Sequence, residues 1–219
     1  NYVIDKKHDE LTISLVKAIR LIGIFTVPAA LMFLAFGQLV ANTLYFGISN
    51  ADANYLGLTL SAFALGLIPV SINLVLLRGL NAFENLKSQV IGNFIMNLIS
   101  IALSFLVASW FEPKWVTVGL AGIFTIHYFI GAGISFYLIK RHQVRLPLLS
   151  ISLYYLRLIL IFALVLAPIW LLRGEIPGGN LISLLLVTSV SAVFYLLIAK
   201  LLKISEVTDL LKVIWSRKV

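Results

Sequence analysis

The sequence predicts an all-α, polytopic integral membrane protein: six transmembrane helices in one bundle, with both termini in the cytoplasm. Three observations predict it. First, 61% of the 219 residues are hydrophobic and 12% are charged, and mean hydropathy is +1.04. A soluble domain has about 45–50% apolar and about 25% charged residues. Second, the apolar residues gather in six runs, each near the ~20 residues that a helix needs to cross a bilayer. Helix is also the open-chain form that satisfies its own backbone in lipid. Third, the basic residues fall almost entirely on one side of the alternating runs. The same composition excludes disorder, and the absence of cysteine excludes a disulfide scaffold and a zinc-finger protein.

The first run is Ile19–Leu39. It follows a charged stretch, is too long for a secretory signal, and no small-residue cleavage site follows it. Tyr2–Leu15 reads as a polar cytoplasmic connection leading into a helix. With Asn1 at the front, the chain reads as a fragment or one half of a larger transporter. The second run, Tyr55–Leu77, is opened by the turn-rich stretch Asn50-Ala51-Asp52-Ala53-Asn54. Pro28 and Pro69 lie inside these two runs and are expected to kink them. The third run, Val90–Phe111, stops at Glu112-Pro113-Lys114. The fourth, Val116–Ile139, carries Gly119, Gly122, Gly131 and Gly133, which permit close helix approach. The fifth and sixth, Tyr154–Leu172 and Leu181–Leu202, are separated by a stretch with Gly174, Pro177, Gly178 and Gly179. In the tail, Lys203–Val219, the residues Ile204, Val207, Leu211, Ile214 and Trp215 share a side, with Glu206, Asp209, Lys212 and Arg217 largely opposite. That pattern fits an amphipathic helix on the membrane surface, or equally a frayed terminus.

Of the 17 basic residues, all but Lys114 and Arg173 fall at the termini and in the two connections on the same side. The positive-inside rule places that side in the cytoplasm. The net charge of +8 is thus a topology signal. Nucleic-acid binding would need a clustered basic face on a soluble fold; the partner for this basic face is anionic membrane lipid.

Polar residues inside the runs carry the functional signal. No carboxylate lies within a run, since the nine acids all fall in connections or tails, so the chain is not read as an enzyme. His127 is the one histidine within a run, and a packing or hydrogen-bonding role is expected for it. In the third run Gln89, Asn93, Asn97, Ser100 and Ser104 recur at spacings of four, four, three and four. They cluster within roughly 80° of arc on a helix. Amides are costly against lipid, so this face is expected to look inward. Two readings stay open. One is interhelical hydrogen bonding, worth about 0.6 kcal/mol per bond; the other is the lining of a polar cavity or cation site. Asn73 follows Pro69 by one turn, and Thr188, Ser191 and Tyr195 share a face of the sixth run. Arg157, one turn after Tyr154, either snorkels to the interface or contacts an anionic headgroup or substrate.

Three segments carry a resemblance to a known family. Ala18–Leu31 contains an arginine, a short apolar run and Pro28-Ala29-Ala30; Leu44-Tyr45-Phe46-Gly47 follows. Leu76–Val90 is similar to a cytoplasmic loop of the form Leu-Leu-Arg-x-x-Tyr-Ala-x-x-Asp-x-Arg/Lys-Thr-Pro-Val. Arg78, Ala82, Lys87 and Ser88 fit it, whereas Asn81, Asn85 and Gln89 replace its Tyr, Asp and Pro. Gly119-Leu120-Ala121 resembles the start of a later span. The family is the MurJ/MviN lipid II flippases of the MOP superfamily.

The resemblance implies that the six runs correspond to the last six of fourteen spans. Residues 1–142 would be the last four helices of the C-terminal lobe, and residues 143–219 two additional helices and a tail. It implies a bacterial inner-membrane, multi-pass transporter of peptidoglycan (cell-wall) biosynthesis. Such a protein flips undecaprenyl-pyrophosphate-linked precursor by alternating access, without a cofactor, with Na⁺ or membrane-potential coupling. Partners would be that lipid-linked oligosaccharide and the N-terminal lobe, which carries the substrate-binding arginines. Asn73, Arg78, Gln89, Asn93, Asn97 and Arg157 become candidates for lining the cavity. Asn93, Asn97 and Thr125 become a candidate Na⁺ site. The fifth and sixth spans would border a groove for the lipid tail. Another MOP-type exporter of polysaccharide or drugs, and a non-transporting membrane scaffold, stand as alternatives.

Overall fold

The computed structural model describes residues 2–83, 86–172 and 179–208, except the side chains of residues 2–7 and 86. Every regular element among them is helical: α1 (Tyr2–Leu44), α2 (Asn50–Asn81), α3 (Leu86–Trp110), α4 (Pro113–Arg141), α5 (Leu148–Leu171) and α6 (Asn180–Leu201). All six are long and apolar enough to cross a membrane, as the six runs predict. The helices outlast the runs. The segment expected to be a connection, Tyr2–Leu15, is already part of α1. From His8 to Leu44 alone, α1 has 37 residues, about 55 Å of helix against a hydrocarbon core of about 30 Å. Hydropathy marks the stretch that suits lipid; the backbone ladder continues beyond it.

Short connections make successive helices alternate in direction. The starts of α1, α3 and α5 and the ends of α2, α4 and α6 therefore gather at one end of the bundle. That end holds Lys17, Arg20, Arg78, Lys140, Arg141, Arg157 and Lys200 and is the basic end of the bundle. Helix α1 is the hub, packing on α2 along one side and on α5 and α6 along another. Helix α4 lies on α2, and α3 lies on α4 while barely touching α2. The core runs through Ile19, Val27, Leu76, Leu80, Ile139, Leu158 and Phe162 to Ala199, Ile204 and Val207. The last two place the first residues of the tail inside the fold rather than on a surface. The rest of the proposed amphipathic segment, with Leu211, Ile214 and Trp215, lies outside the described residues, as does Arg173.

Tyrosines fasten α5 and α6 to α1. The hydroxyl of Tyr155 donates to the carbonyl of Ile19 at 2.8 Å, its ring filling the space beside Gly23. Tyr195 donates to the carbonyl of Ile24 at 3.2 Å. Phe162, 1% exposed, stands edge-on to Tyr195 with centroids 5.4 Å apart.

The one interior break in α1 falls at Phe36 (φ −124°, ψ 22°) and not at Pro28. The reason lies at Gly37 and Gly57, where α1 and α2 cross backbone to backbone. A Cβ on Gly37 would sit 2.6 Å from the carbonyl oxygen of Gly57, and one on Gly57 2.6 Å from the amide nitrogen of Gln38. Ser61 on α2 places its hydroxyl 3.1 Å from the carbonyl of Phe33, adding a donor beside the break. Of the four α4 glycines, Gly131 makes room for Met96 and Gly119 for Val107, whereas Gly122 and Gly133 border open space.

Candidate functional site

The polar face of α3 is divided between two environments. Gln89, Ser100 and Ser104 are half-buried at the seam with α4. There the hydroxyl of Ser100 lies 2.7 Å from Nδ1 of His127, and His127 makes an edge contact with Tyr128. The hydrogen-bonding role expected for this histidine is what the geometry gives. The Gln89 amide nitrogen is buried with no hydrogen-bond partner. Asn93 and Asn97, in contrast, are exposed, which corrects the expectation that the whole face looks inward. The split is not one of angle: measured from the buried Gly92 and Met96, at ~100° per residue, the half-buried Ser104 falls between the exposed Asn93 and Asn97 on the circumference of α3. With α4 as almost the sole neighbour of α3, nothing in the described bundle wraps that flank.

The other polar candidates are placed as follows. Asn73 is buried and accepts a hydrogen bond from the hydroxyl of Ser135 at 2.6 Å; its amide nitrogen borders Gly131. Thr125 is also buried, but its hydroxyl donates to the carbonyl of Ala62 on α2 at 2.7 Å. Thr125 thus faces α2, while His127, two residues and about 200° on, faces α3. The structure does not bring Thr125 to Asn93 and Asn97, so these three do not form one cation cage. Among the described residues no group of three His, Cys, Asp or Glu side chains converges either. Arg78, at the end of α2, and Arg157, near the start of α5, are exposed at the basic end.

A long apolar groove of about 630 Å³ opens along the outside of α1. Its walls are α1, from Ile24 and Pro28 to Leu44, and α6, with Leu184, Thr188 and Ala192. Helix α5 contributes Phe162 alone, so the groove lies between α1 and α6 and not between α5 and α6. Of the polar face expected on α6, Thr188 lines the groove, Tyr195 is bonded to α1, and Ser191 is buried with its hydroxyl unpartnered. The α1 side of this groove, and the pairing of Arg20 with Glu206 at 3.2 Å, were not legible in the sequence. Both join segments more than a hundred residues apart.

The model of the lipid II flippase MurJ family matches residues 2–191. A search of the curated proteins finds no match.

Proposed function

Since the chain belongs to the lipid II flippase MurJ family, we propose that it forms part of a transporter that moves a lipid-linked peptidoglycan precursor across the bacterial cytoplasmic membrane. The family match over residues 2–191 carries this reading, and the two surfaces just described suit it. The basic end faces the cytoplasm, by the positive-inside rule. The α3 flank with Asn93 and Asn97 forms part of a wall for the sugar-phosphate headgroup. An amide without a partner costs about 4–8 kcal/mol in hydrocarbon. Asn97 lies eleven residues into α3, about 16 Å along it, near mid-bilayer depth. Two amides exposed there are tolerable in a water-filled cavity and not against lipid.

The groove of α1 and α6 takes a stretch of the prenyl tail. Its walls offer the chain only apolar atoms, apart from Thr188 and the already bonded Tyr195 hydroxyl. Its ~630 Å³ lies within the range of sites for small apolar ligands. The work on the substrate is non-covalent: the headgroup is hydrated in one place, the tail stays in an apolar one, and rocking of two lobes changes which side the cavity faces. Coupling to Na⁺ or to the membrane potential remains a proposal, and no step is assigned to a cation at Asn93, Asn97 and Thr125.

Filling the groove tests the reading. Ala29→Phe with Ala192→Phe narrows it from both walls. In the full-length flippase this pair is expected to lower rescue of a flippase-depleted strain at least tenfold, at unchanged membrane abundance. Full rescue would remove the groove from the transport path.

A further inference from the structure

A second recess, polar and smaller, lies at the basic end, where α1, the first turns of α5 and the segment after α6 meet. It has a volume of about 280 Å³, and Arg20, Ser150, Arg157, Lys203, Ser205 and Glu206 line it. Three cations thus share a recess with one carboxylate.

That carboxylate is already committed. Glu206 Oε1 accepts from Arg20 Nη1 at 3.2 Å, and its Oε2 accepts from the Ser205 hydroxyl at 2.9 Å. Arg20 is engaged as well: Nη2 donates to Ser150 at 2.9 Å, and the guanidinium stacks 5.3 Å from the centre of the Tyr154 ring, while its buried Nε has no hydrogen-bond partner. Among the described residues no carboxylate pairs with Arg157 or Lys203, so the residues that line the recess carry a net +2. Two cations that line one recess repel each other, and an anion bound there relieves the repulsion. The start of α5 adds to this. Helix α5 begins at Leu148 with no side-chain cap; the Leu148 N–H is taken by the carbonyl of Leu146, and the positive dipole end lies beside Ser150.

Lys203 is placed by the way α6 ends. Helix α6 ends in a Schellman motif: the N–H of Ile204 reaches the carbonyl of Ala199 at 3.1 Å, and that of Lys203 the carbonyl of Lys200 at 3.0 Å. The motif puts Lys203 in the left-handed region, with φ +54°, where glycine is the favoured residue. A lysine there is strained, and capping alone is better served by glycine. Gln143 takes the same left-handed position after α4, with φ +62°, so the conformation belongs to the cap, and at the end of α6 that cap puts Lys203 in the lining of the cationic recess.

We propose that this recess binds a phosphate group at the membrane surface, with Arg157 and Lys203 as its charged ligands and Ser150, whose hydroxyl accepts from Arg20 and keeps its own proton, as hydroxyl donor. A guanidinium fork and an ammonium beside a neutral donor are a phosphate-binding set. Apolar Leu153 and Ile204 share the lining, which suits a phosphate carried on a lipid headgroup. The site does not rest on the transport reading, since it would bind its anion whatever the bundle moves.

The test is titration of the full chain in neutral detergent micelles with short-chain phosphatidylglycerol, short-chain phosphatidylcholine and inorganic phosphate. Phosphatidylglycerol is expected to bind more tightly than phosphatidylcholine. Arg157→Gln with Lys203→Gln is expected to weaken binding at least tenfold. Lys203→Gly separates the site from the fold: it relieves the left-handed strain, so heat stability should hold or rise while anion binding falls severalfold. Binding of phosphatidylglycerol without inorganic phosphate assigns a lipid headgroup, and comparable binding of inorganic phosphate assigns a soluble one; either supports the site. Unchanged affinity in the double variant, or no preference for phosphatidylglycerol together with no phosphate binding, would overturn it.

Discussion

Replacing Gly37 by alanine should separate the two helices that form the spine of the bundle. The added Cβ would lie 2.6 Å from the carbonyl oxygen of Gly57 and 3.2 Å from its Cα. Heavy-atom contacts settle near 3.5–4.0 Å, so α1 and α2 must part by roughly 1 Å. The obstacle is backbone on both sides, which does not swing aside as the end of a side chain would. Overpacking of this kind costs about 1–3 kcal/mol. The gain in helix propensity from glycine to alanine returns at most about 1 kcal/mol. Gly133→Ala is the matched control, since nothing lies within 4 Å of its added Cβ and only the propensity gain remains. The difference between the two variants therefore isolates the clash, at about 1–3 kcal/mol. Loss of helix on titration of the full chain with sodium dodecyl sulfate in mixed micelles would measure it. Equal midpoints for the two variants would refute the backbone-to-backbone crossing.

Asn93→Leu with Asn97→Leu should leave stability within about 0.5 kcal/mol, because neither amide has a hydrogen-bond partner among the described residues, while transport by the full-length flippase falls. Undiminished rescue of a depleted strain would mean that the flank is not a cavity wall. Phe162→Ala should cost about 3–5 kcal/mol, since the ring is 1% exposed and braces Tyr195. A loss under 1 kcal/mol in the same detergent titration would show that α5 and α6 are held otherwise.

The spans were legible because lipid imposes one requirement on every residue of a run, and averaging over about 20 residues recovers it. Where a helix ends, or breaks, depends on single contacts. The sequence offers Pro28 as the natural kink in α1, yet the break is at Phe36, where Gly37 meets a glycine twenty residues later in the chain. Similarly, α6 stops at Leu201 without the glycine that usually marks a helix end; Lys203 takes the left-handed position instead. The four glycines of α4 show the same gap. Composition says that they permit close approach, but only the neighbouring side chains decide that Gly131 and Gly119 are used and Gly122 and Gly133 are not.

The candidate site was half legible for a related reason. Periodicity fixes the angular width of the α3 polar face, and its five members do lie on one side of the helix. It does not fix which member a neighbour covers: around the arc the exposed Asn93 and Asn97 alternate with the half-buried Ser100 and Ser104. Charge shows the limit most clearly. Counting treats Arg20, Arg157 and Lys203 as equal tokens of orientation. The fold sorts them: Arg20 closes on Glu206 across 186 positions of sequence, and in doing so it removes the one acid among the described lining residues that could have neutralised the other two. A residue that merely orients a helix can be replaced by any cation at the same end of the bundle. A residue that binds an anion cannot, because its partners are fixed around it. Moving a positive charge from position 157 to an exposed neutral position of the first α5 turn, by Arg157→Gln with Leu149→Arg, should therefore preserve insertion and topology while abolishing the anion preference of the recess. Retention of both would return Arg157 to a topology role.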